Sequence, residues 1–363
     1  MFNKIIRTSL IAVITFGLFF AETSANAANA EKEWTFMLFM AADNNLEAAT
    51  SLDINELEKY GSTDQVNFVA QIDRNGNYDH DSELKWRGAK RFYIIKDKST
   101  KKMTSPSVKN LGDVDMAAPE TLLDFVEWTV KNYPAKKYAL ILWNHGTGWK
   151  EINPSIMEGD VGEIGLPSGG VPGAAISYNI SYDDTSKTSM NIPTLGRTLD
   201  KVVDIIGGPL EIMGFDACLM QMAEVSYTTS KYAKCQLGSP DLEPERGWPY
   251  DKIAAAVTSK PEIGGIELAR KITEVYAKSY AGGAGAQGNT AVAISVIDHS
   301  KTNDFREDLD SFCKTAIANM SNIDKIEFAR DEALKYSYGD YVDLGHFLAI
   351  LIQKTHATSN LKS

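Results

Sequence analysis

Cysteine is scarce in this chain: there are three in 363 residues, Cys218, Cys235 and Cys313. An odd count leaves at least one thiol unpaired, and no spacing among them resembles a zinc cluster, so a disulfide scaffold and a cysteine-bound metal both lack support. Positive charge is also short, with 37 Lys and Arg against 48 Asp and Glu. The resulting net charge of −11 argues against a nucleic-acid or anionic-membrane surface and is compatible with cationic substrates. There is no G-x-G-x-x-G opening a helix, no P-loop, no H-E-x-x-H and no G-x-S-x-G, which removes the usual sequence support for dinucleotide, nucleoside triphosphate, zinc-protease and serine-hydrolase chemistry. No internal repeat at a fixed period is present.

The first thirty residues carry Lys4 and Arg7, an apolar stretch from Leu10 to Phe20 and two A-x-A sites ending at Ala27 and Ala30. This is the pattern of a secretory signal peptide over 1–30. The stretch is shorter than the roughly 20 residues a spanning helix needs, so no membrane span is expected once it is removed. Removal takes Lys4, Arg7 and Glu22 and moves the net charge from −11 to −12. A secreted or periplasmic protein with a free thiol is the expectation.

What is present is a succession of apolar runs rich in branched and aromatic residues. Residues 34–40, 66–72, 91–95, 138–143, 210–215 and 290–297 read as strands, and most lack strict alternation, as strands covered on both faces do. Helical patterns lie between them over 45–60, 118–133 and 192–206, the last two with Pro119 and Pro193 near the first turn. Alternation of strand and helix predicts an α/β fold: a mostly parallel sheet between two helical layers, with any ligand site outside the carboxyl ends of the strands. The expected main domain covers 31–300. Residues 150–190, rich in Gly, Pro and Ser, read as an exposed loop or removable linker. After residue 300 the pattern turns helical, which predicts a C-terminal helical subdomain over 301–363 capping the sheet.

Two residue types suited to nucleophilic catalysis fall at strand ends. Cys218 follows the run 210–215 and precedes a helical pattern over 218–233, where a helix N-terminus would favour thiolate over thiol. The competing reading is a small buried hydrophobe. A cysteine nucleophile wants an imidazole, and of His80, His145, His299, His346 and His356 only His145 and His299 end apolar strands. Gly146 and Gly148 beside His145 permit close backbone approach, and the Gly146 amide is placed to help bind an oxyanion. His80 reads as a surface-loop residue, His346 as a packing histidine on an apolar helix and His356 as part of a tail. Asp216 lies two residues before Cys218, on the same side of an extended strand end. It can bind a cation there, or cap the following helix. The acidic turn 239–248 falls at the same predicted edge. Asp43, Asp73, Asp183 and Asp184 supply oxygens that calcium can use, without EF-hand spacing.

The ordered blocks YALILWNHGTGW, ISYDD, LEIMGFDACLM and GSPDLEPERGWPY, with WTFMLFMAADNNLE before them, resemble the clostripain family of cysteine peptidases, in the wider group that holds caspases, legumain and gingipains. The resemblance covers about residues 34–300. It implies a caspase-like three-layer sandwich and a Cys-His dyad of Cys218 and His145. It also implies an oxyanion held by the amides of Gly146 and Cys218, and Asp216 as the partner of an Arg or Lys side chain in a protein or peptide substrate. Relatives are often cut in the linker between the histidine and cysteine blocks. In this chain Lys150 and Lys187 are the basic positions that such a cut would use. Calcium is required by the founding member, and no other cofactor is implied. Two rival readings from other classes are an inactive caspase-like peptide-binding or adhesive module, and an acid-based hydrolase using Asp43 and Asp73 with Cys218 inert.

Overall fold

Side chains of the first strand leave in two directions toward two separate cores. In the computed structural model, which describes residues 31–79, 84–99, 102–149, 180–319, 321 and 323–355, β1 runs Lys32–Ala42. Its Trp34, Phe36, Leu38 and Met40 enter one apolar cluster, and Met37, Phe39 and Ala41 enter the other. Period-two alternation of a strand explains how a continuous apolar run serves both faces. Each of the Phe, Leu and Met side chains among them, when fully buried, contributes roughly 1.5–3 kcal/mol of transfer free energy.

The central sheet has eight strands in the order β10-β9-β8-β5-β1-β2-β3-β4. Besides β1 they are β2 (Val66–Arg74), β3 (Gly88–Tyr93), β4 (Ser107–Gly112), β5 (Ala135–Trp143), β8 (Ile212–Asp216), β9 (Cys235–Gly238) and β10 (Ser295–Asp298). The middle pairings β2-β1-β5-β8-β9 are parallel, whereas β3, β4 and β10 join antiparallel at the two edges. A separate hairpin is made by β6 (Ile180–Asp183) and β7 (Thr188–Met190).

Helices cover both faces. The first cluster packs under α1 (Ala49–Glu58), α5 (Tyr250–Ser259) and α6 (Gly265–Ser279), the second under α2 (Pro119–Asn132), α3 (Ile192–Ile206) and the short α4 (Ala223–Thr229). The boundaries of α3 follow local chemistry. Asn191 accepts from the Thr194 amide at 2.9 Å, Pro193 sits in the first turn, and Gly207 ends the helix in the left-handed region at φ 77°, a conformation that glycine adopts without steric cost. Its Leu195, Leu199 and Val202 are buried on one face, as spacing by three and four requires.

Three differences from the sequence expectation have physical causes. The run 290–297 forms a strand only over Ser295–Asp298, a half-exposed edge. Strand β4 and the β6–β7 hairpin carry little apolar periodicity, because they lie at an edge or stand outside the main sheet, whereas the strand expected from Cys235, before the acidic turn, is present as β9. The third concerns the helix after Cys218: α4 begins at Ala223 with Met222 before it, so the thiol sits on a connecting turn rather than at a helix start.

Beyond β10 follow α7 (Thr302–Ala318), α8 (Ile323–Glu332) and α9 (Leu344–Thr355). The segment 333–343 between α8 and α9 turns back onto the molecule and buries Ala333 and Tyr341. The expected signal peptide, Lys150, most of the linker, His80 and His356 lie outside the described residues. Among the described residues no helix is long and apolar enough to cross a membrane.

Candidate active site

Parallel pairing of β5 with β8 sets Trp143 opposite Asp216. The Asn144 amide then donates to the Asp216 carbonyl at 3.2 Å. Two residues past each strand end the chain reaches His145 on one side and Cys218 on the other. At that level the two turns touch: a Cβ placed on Gly146 would fall 2.3 Å from the Cys218 carbonyl oxygen. Position 146 therefore requires glycine for a close approach, not for a turn. The histidine and cysteine blocks meet at the carboxyl ends of adjacent central strands, where a ligand site is expected in an open α/β sheet.

A cleft of about 350 Å³ opens there, with Asn45, His145, Asp216, Cys218, Glu243 and Gly247 in its lining. His145 is 9% exposed, and its Nε2 lies 2.7 Å from Asn45 Oδ1. Since an amide oxygen only accepts, this contact assigns the ring proton to Nε2 and leaves a lone pair on Nδ1. Burial pulls the imidazole down to about 4, so the ring is neutral near pH 7.

The Cys218 Sγ accepts from the Glu243 amide at 3.2 Å. Burial, with smaller contributions from the Glu243 and Asp216 carboxyls, pushes this thiol up to about 12. That reverses the expectation of a thiolate favoured by a helix N-terminus, because the helix starts five residues too late to act and the surrounding charge is negative. The turn itself is strained. Leu219, directly after the thiol, has φ 64°, a left-handed conformation costly for a branched side chain. It is held there by the hydrogen bond its backbone amide donates to the Asp241 carbonyl at 3.0 Å.

Asp216 is 5% exposed and does not cap a helix. Its Oδ2 accepts from the Tyr250 hydroxyl at 2.7 Å and from the Trp248 amide at 3.4 Å. Burial raises the carboxyl to about 6, with the hydrogen bonds opposing. Glu243 beside it is pushed well up, first by burial and then by the Asp216 charge, so of the two acids Glu243 keeps its proton. Asp53, also buried, accepts from Trp143 Nε1 at 2.8 Å and is raised by burial and by Asp216. The acidic turn 239–248 thus contributes Glu243 and Gly247 to the cleft.

The other candidates separate. The His299 ring lies against the Ala233 carbonyl at 2.9 Å and the Ser226 hydroxyl at 3.3 Å, in the 3-10 turn that follows the edge strand β10 and outside the cleft lining. His346 Nδ1 accepts from the Leu334 amide at 2.9 Å on an exposed helix. Cys235 is buried and Cys313 exposed, and Lys187 is exposed in the β6–β7 turn at φ 56°. One carboxylate oxygen each from Asp43, Asp73 and Asp183 lies within 4.8 Å of the other two, whereas Asp184 instead binds the Tyr78 hydroxyl at 2.5 Å. Burial and mutual repulsion raise Asp73 to about 9 and Asp183 to about 6. Asp73 Oδ1 has no hydrogen-bond partner although it is buried, so the donor set fits a hard cation.

Sequence reasoning missed one contributor. In the segment between α8 and α9, the Tyr341 hydroxyl donates to the Thr147 carbonyl at 2.7 Å, two residues past His145. In the same segment, the Ser337 amide and hydroxyl donate to Asp241 Oδ1 at 3.1 and 2.5 Å, and Asp241 is the residue that holds Leu219. One C-terminal turn thus ties both strand-end loops. The run of tyrosines at 336, 338 and 341 was the only local signal.

The clostripain family model matches residues 38–159 and 173–362. The chain is 25% identical over 385 residues to clostripain of Hathewaya histolytica, covering 94% of this chain and 69% of that protein. Among solved structures, a secreted C11 cysteine protease from Bacteroides thetaiotaomicron with an irreversible peptide inhibitor superposes at TM-score 0.59, with 21% identity over 91% of this chain and 80% of that one. An inactive zymogen C11 protease from Parabacteroides distasonis gives 0.60, with 21% identity over 92% and 80%. At such identities the structures establish the shared, caspase-like fold, and the family match extends from β1 to the C-terminal helices. With a thiol and an imidazole delivered to one cleft by adjacent strands, the chain belongs to the clostripain family and is a cysteine-type endopeptidase.

Proposed function

We propose that this endopeptidase is exported through its residues 1–30 and cleaves after Arg or Lys, with Cys218 as nucleophile and His145 as general base and acid. The observation that carries the reading is the shared cleft. His145, Gly146 and Cys218 meet at its rim, and the buried Asp216 carboxylate on its wall has no basic side chain among the charges that shift it.

Both groups rest in neutral form, so the thiol surrenders its proton to His145 Nδ1 only as Sγ attacks the substrate carbonyl. The Sγ–C bond forms, the carbonyl oxygen takes the negative charge, and the amides of Gly146 and Cys218 receive it. The imidazolium then gives its proton to the leaving amine as the C–N bond breaks, and water hydrolyses the thioester. A guanidinium at Asp216 makes a charge-assisted contact and cancels part of the negative field that holds the thiol up. Substrate charge thereby assists its own attack. None of these steps needs a cofactor.

Self-processing by such an enzyme would use Lys150 or the exposed Lys187. The mature chain should hydrolyse a fluorogenic peptide with Arg before the cleaved bond, and Cys218→Ala or His145→Ala should abolish this. A fully active Cys218→Ala protein would end the proposal. Mass spectrometry of incubated wild-type and Cys218→Ala protein reads out linker cleavage at the same time.

A further inference from the structure

The segment 333–343, which ties the two strand-end loops together, is a small hairpin. Lys335 bridges Val342 in antiparallel fashion, the Tyr336 amide donates to the Tyr341 carbonyl at 2.9 Å, and the Asp343 amide donates to the Leu334 carbonyl at 2.8 Å. Ser337, Tyr338, Gly339 and Asp340 are left to turn the chain, closed by the Tyr341 amide on the Tyr338 carbonyl at 2.9 Å. Both ends of this tip are anchored. Ser337 donates twice to Asp241 Oδ1, on the side of the thiol turn, and the Tyr341 hydroxyl donates to the Thr147 carbonyl, on the side of the imidazole. A tip bonded across its base and fastened at two points presents its side chains in fixed positions, as a ligand-binding loop must.

Tyr338 is the large side chain carried between the two anchors. Its ring meets the Tyr341 ring edge-on, with centroids 5.3 Å apart and planes at 76°, an arrangement that the ring quadrupoles favour. Burial first, and then the Cys218 thiol, raise its hydroxyl above the ordinary tyrosine range, so the ring stands within electrostatic reach of the sulfur. It is only half-buried, and a Cβ placed on the next residue, Gly339, would meet nothing within 4 Å. The space past the tip is open. Among the described residues, none of 333–343 lines the cleft that holds Asp216, so the ring approaches the thiol from outside that cleft.

We propose that Tyr338 walls the subsite for the residue that follows the cleaved bond and selects a large apolar side chain there. The inference rests on the peptidase reading of Cys218 and His145. In that reaction the cleft takes the side chain before the bond, and the peptide continues past the thiol and the imidazole on the other side, where His145 protonates the departing amine. The tip joins the thiol turn to the histidine loop on that path. The Ser337 and Tyr341 hydroxyls beside Tyr338 are already committed to Asp241 and Thr147. A polar side chain arriving there loses water without gaining these partners, whereas an apolar one gains by covering the ring. The helical subdomain thereby takes part in substrate choice through a single turn.

The test compares internally quenched peptides that carry Arg before the bond and Gly, Leu or Phe after it with an Arg methyl ester, whose leaving group has no side chain. Wild-type kcat/KM should be at least about tenfold higher with Leu or Phe than with Gly, the discrimination that a few apolar carbons supply. Tyr338→Ala should bring that ratio close to one, lowering hydrolysis of the Leu peptide far more than hydrolysis of the ester. Tyr338→Phe, which keeps the ring, should keep the ratio. A purely structural role for the ring would lower the ester and every peptide together, and that result overturns the subsite. No turnover of the ester by wild type defeats the peptidase reading and the subsite with it. Ester turnover with a wild-type ratio near one, or with a ratio unchanged in Tyr338→Ala, overturns the subsite alone and leaves the peptidase reading standing. Should Tyr338→Ala fail to fold, Tyr338→Lys decides: a cation at the tip should turn the preference toward Glu after the bond, and an unchanged preference overturns the subsite.

Discussion

Replacing Asp216 with Asn should make the protein more stable and nearly useless against Arg substrates. Burial pushes the Asp216 carboxyl up to about 6 in the folded chain, from the ordinary aspartate value of 3.8. Between those values the folded state holds a proton that the unfolded state has released, so stability falls as pH rises through this window and stays lower above it. A shift of that size corresponds to roughly 3 kcal/mol at pH 7. Asn removes the charge but accepts less strongly from the Tyr250 hydroxyl and the Trp248 amide, which returns about 1–2 kcal/mol. A net gain of roughly 1–2 kcal/mol should appear in urea unfolding at pH 7 and vanish near pH 3.5, where wild-type Asp216 is also protonated. Against this, a guanidinium in the cleft loses its buried partner. The cost of breaking such a pair, about 3–5 kcal/mol, predicts a fall in kcat/KM for Arg substrates of roughly 10²–10³-fold. A norleucine peptide, which carries no charge, should change little. Wild-type kcat/KM on Arg peptides should also fall as pH drops through about 6, with this limb absent in Asp216→Asn. The reasoning would be refuted by a variant destabilised at pH 7, or by one that loses Arg and norleucine hydrolysis equally.

Tyr341→Phe removes only the hydroxyl on the Thr147 carbonyl; it should cost about 1 kcal/mol of stability and lower kcat severalfold with KM unchanged, measured by steady-state kinetics. Gly146→Ala forces a methyl against the Cys218 carbonyl, so hydrolysis should drop at least about 100-fold through loss of oxyanion geometry, and an unaffected kcat would remove Gly146 from the site. A thiol held up at about 12 should react slowly with iodoacetamide at pH 7, and a small guanidinium compound seated at Asp216 should speed labelling of Cys218; fast labelling of the free enzyme would contradict the neutral resting pair. Asn45→Asp places an anion 2.7 Å from His145 Nε2 and should raise the imidazole from its low value, moving the acid limb of the kcat profile to higher pH.

Much of the architecture was legible locally because strands and helices write their burial into short periods. Trp34 to Ala42 read as a strand buried on both faces, and the pattern over 192–206 became a helix with those limits. The strand-end positions of His145 and Cys218 followed from where the apolar runs stop, and the glycine beside His145 signalled close approach. The helix expected from Cys218 did not follow: its apolar residues pack at the strand-end turn instead, and tertiary contacts outweighed local propensity.

By itself, then, the sequence determined an α/β sheet with two covered faces, a thiol and two candidate imidazoles at carboxyl edges, and an acidic chain suited to cationic partners. Tertiary structure decided between the imidazoles. His145 shares the cleft because β5 pairs with β8 in a register that sets Trp143 against Asp216, whereas His299 follows the edge strand β10 and is bonded to the Ala233 carbonyl. It also decided that Asp216 faces Tyr250 rather than a helix start, that Asp43, Asp73 and Asp183 converge, and that Tyr341 reaches the histidine loop. Local periodicity reports which face of an element is buried. Which elements become neighbours depends on pairings between distant segments, set by how two whole cores pack, and no short stretch of residues contains that information.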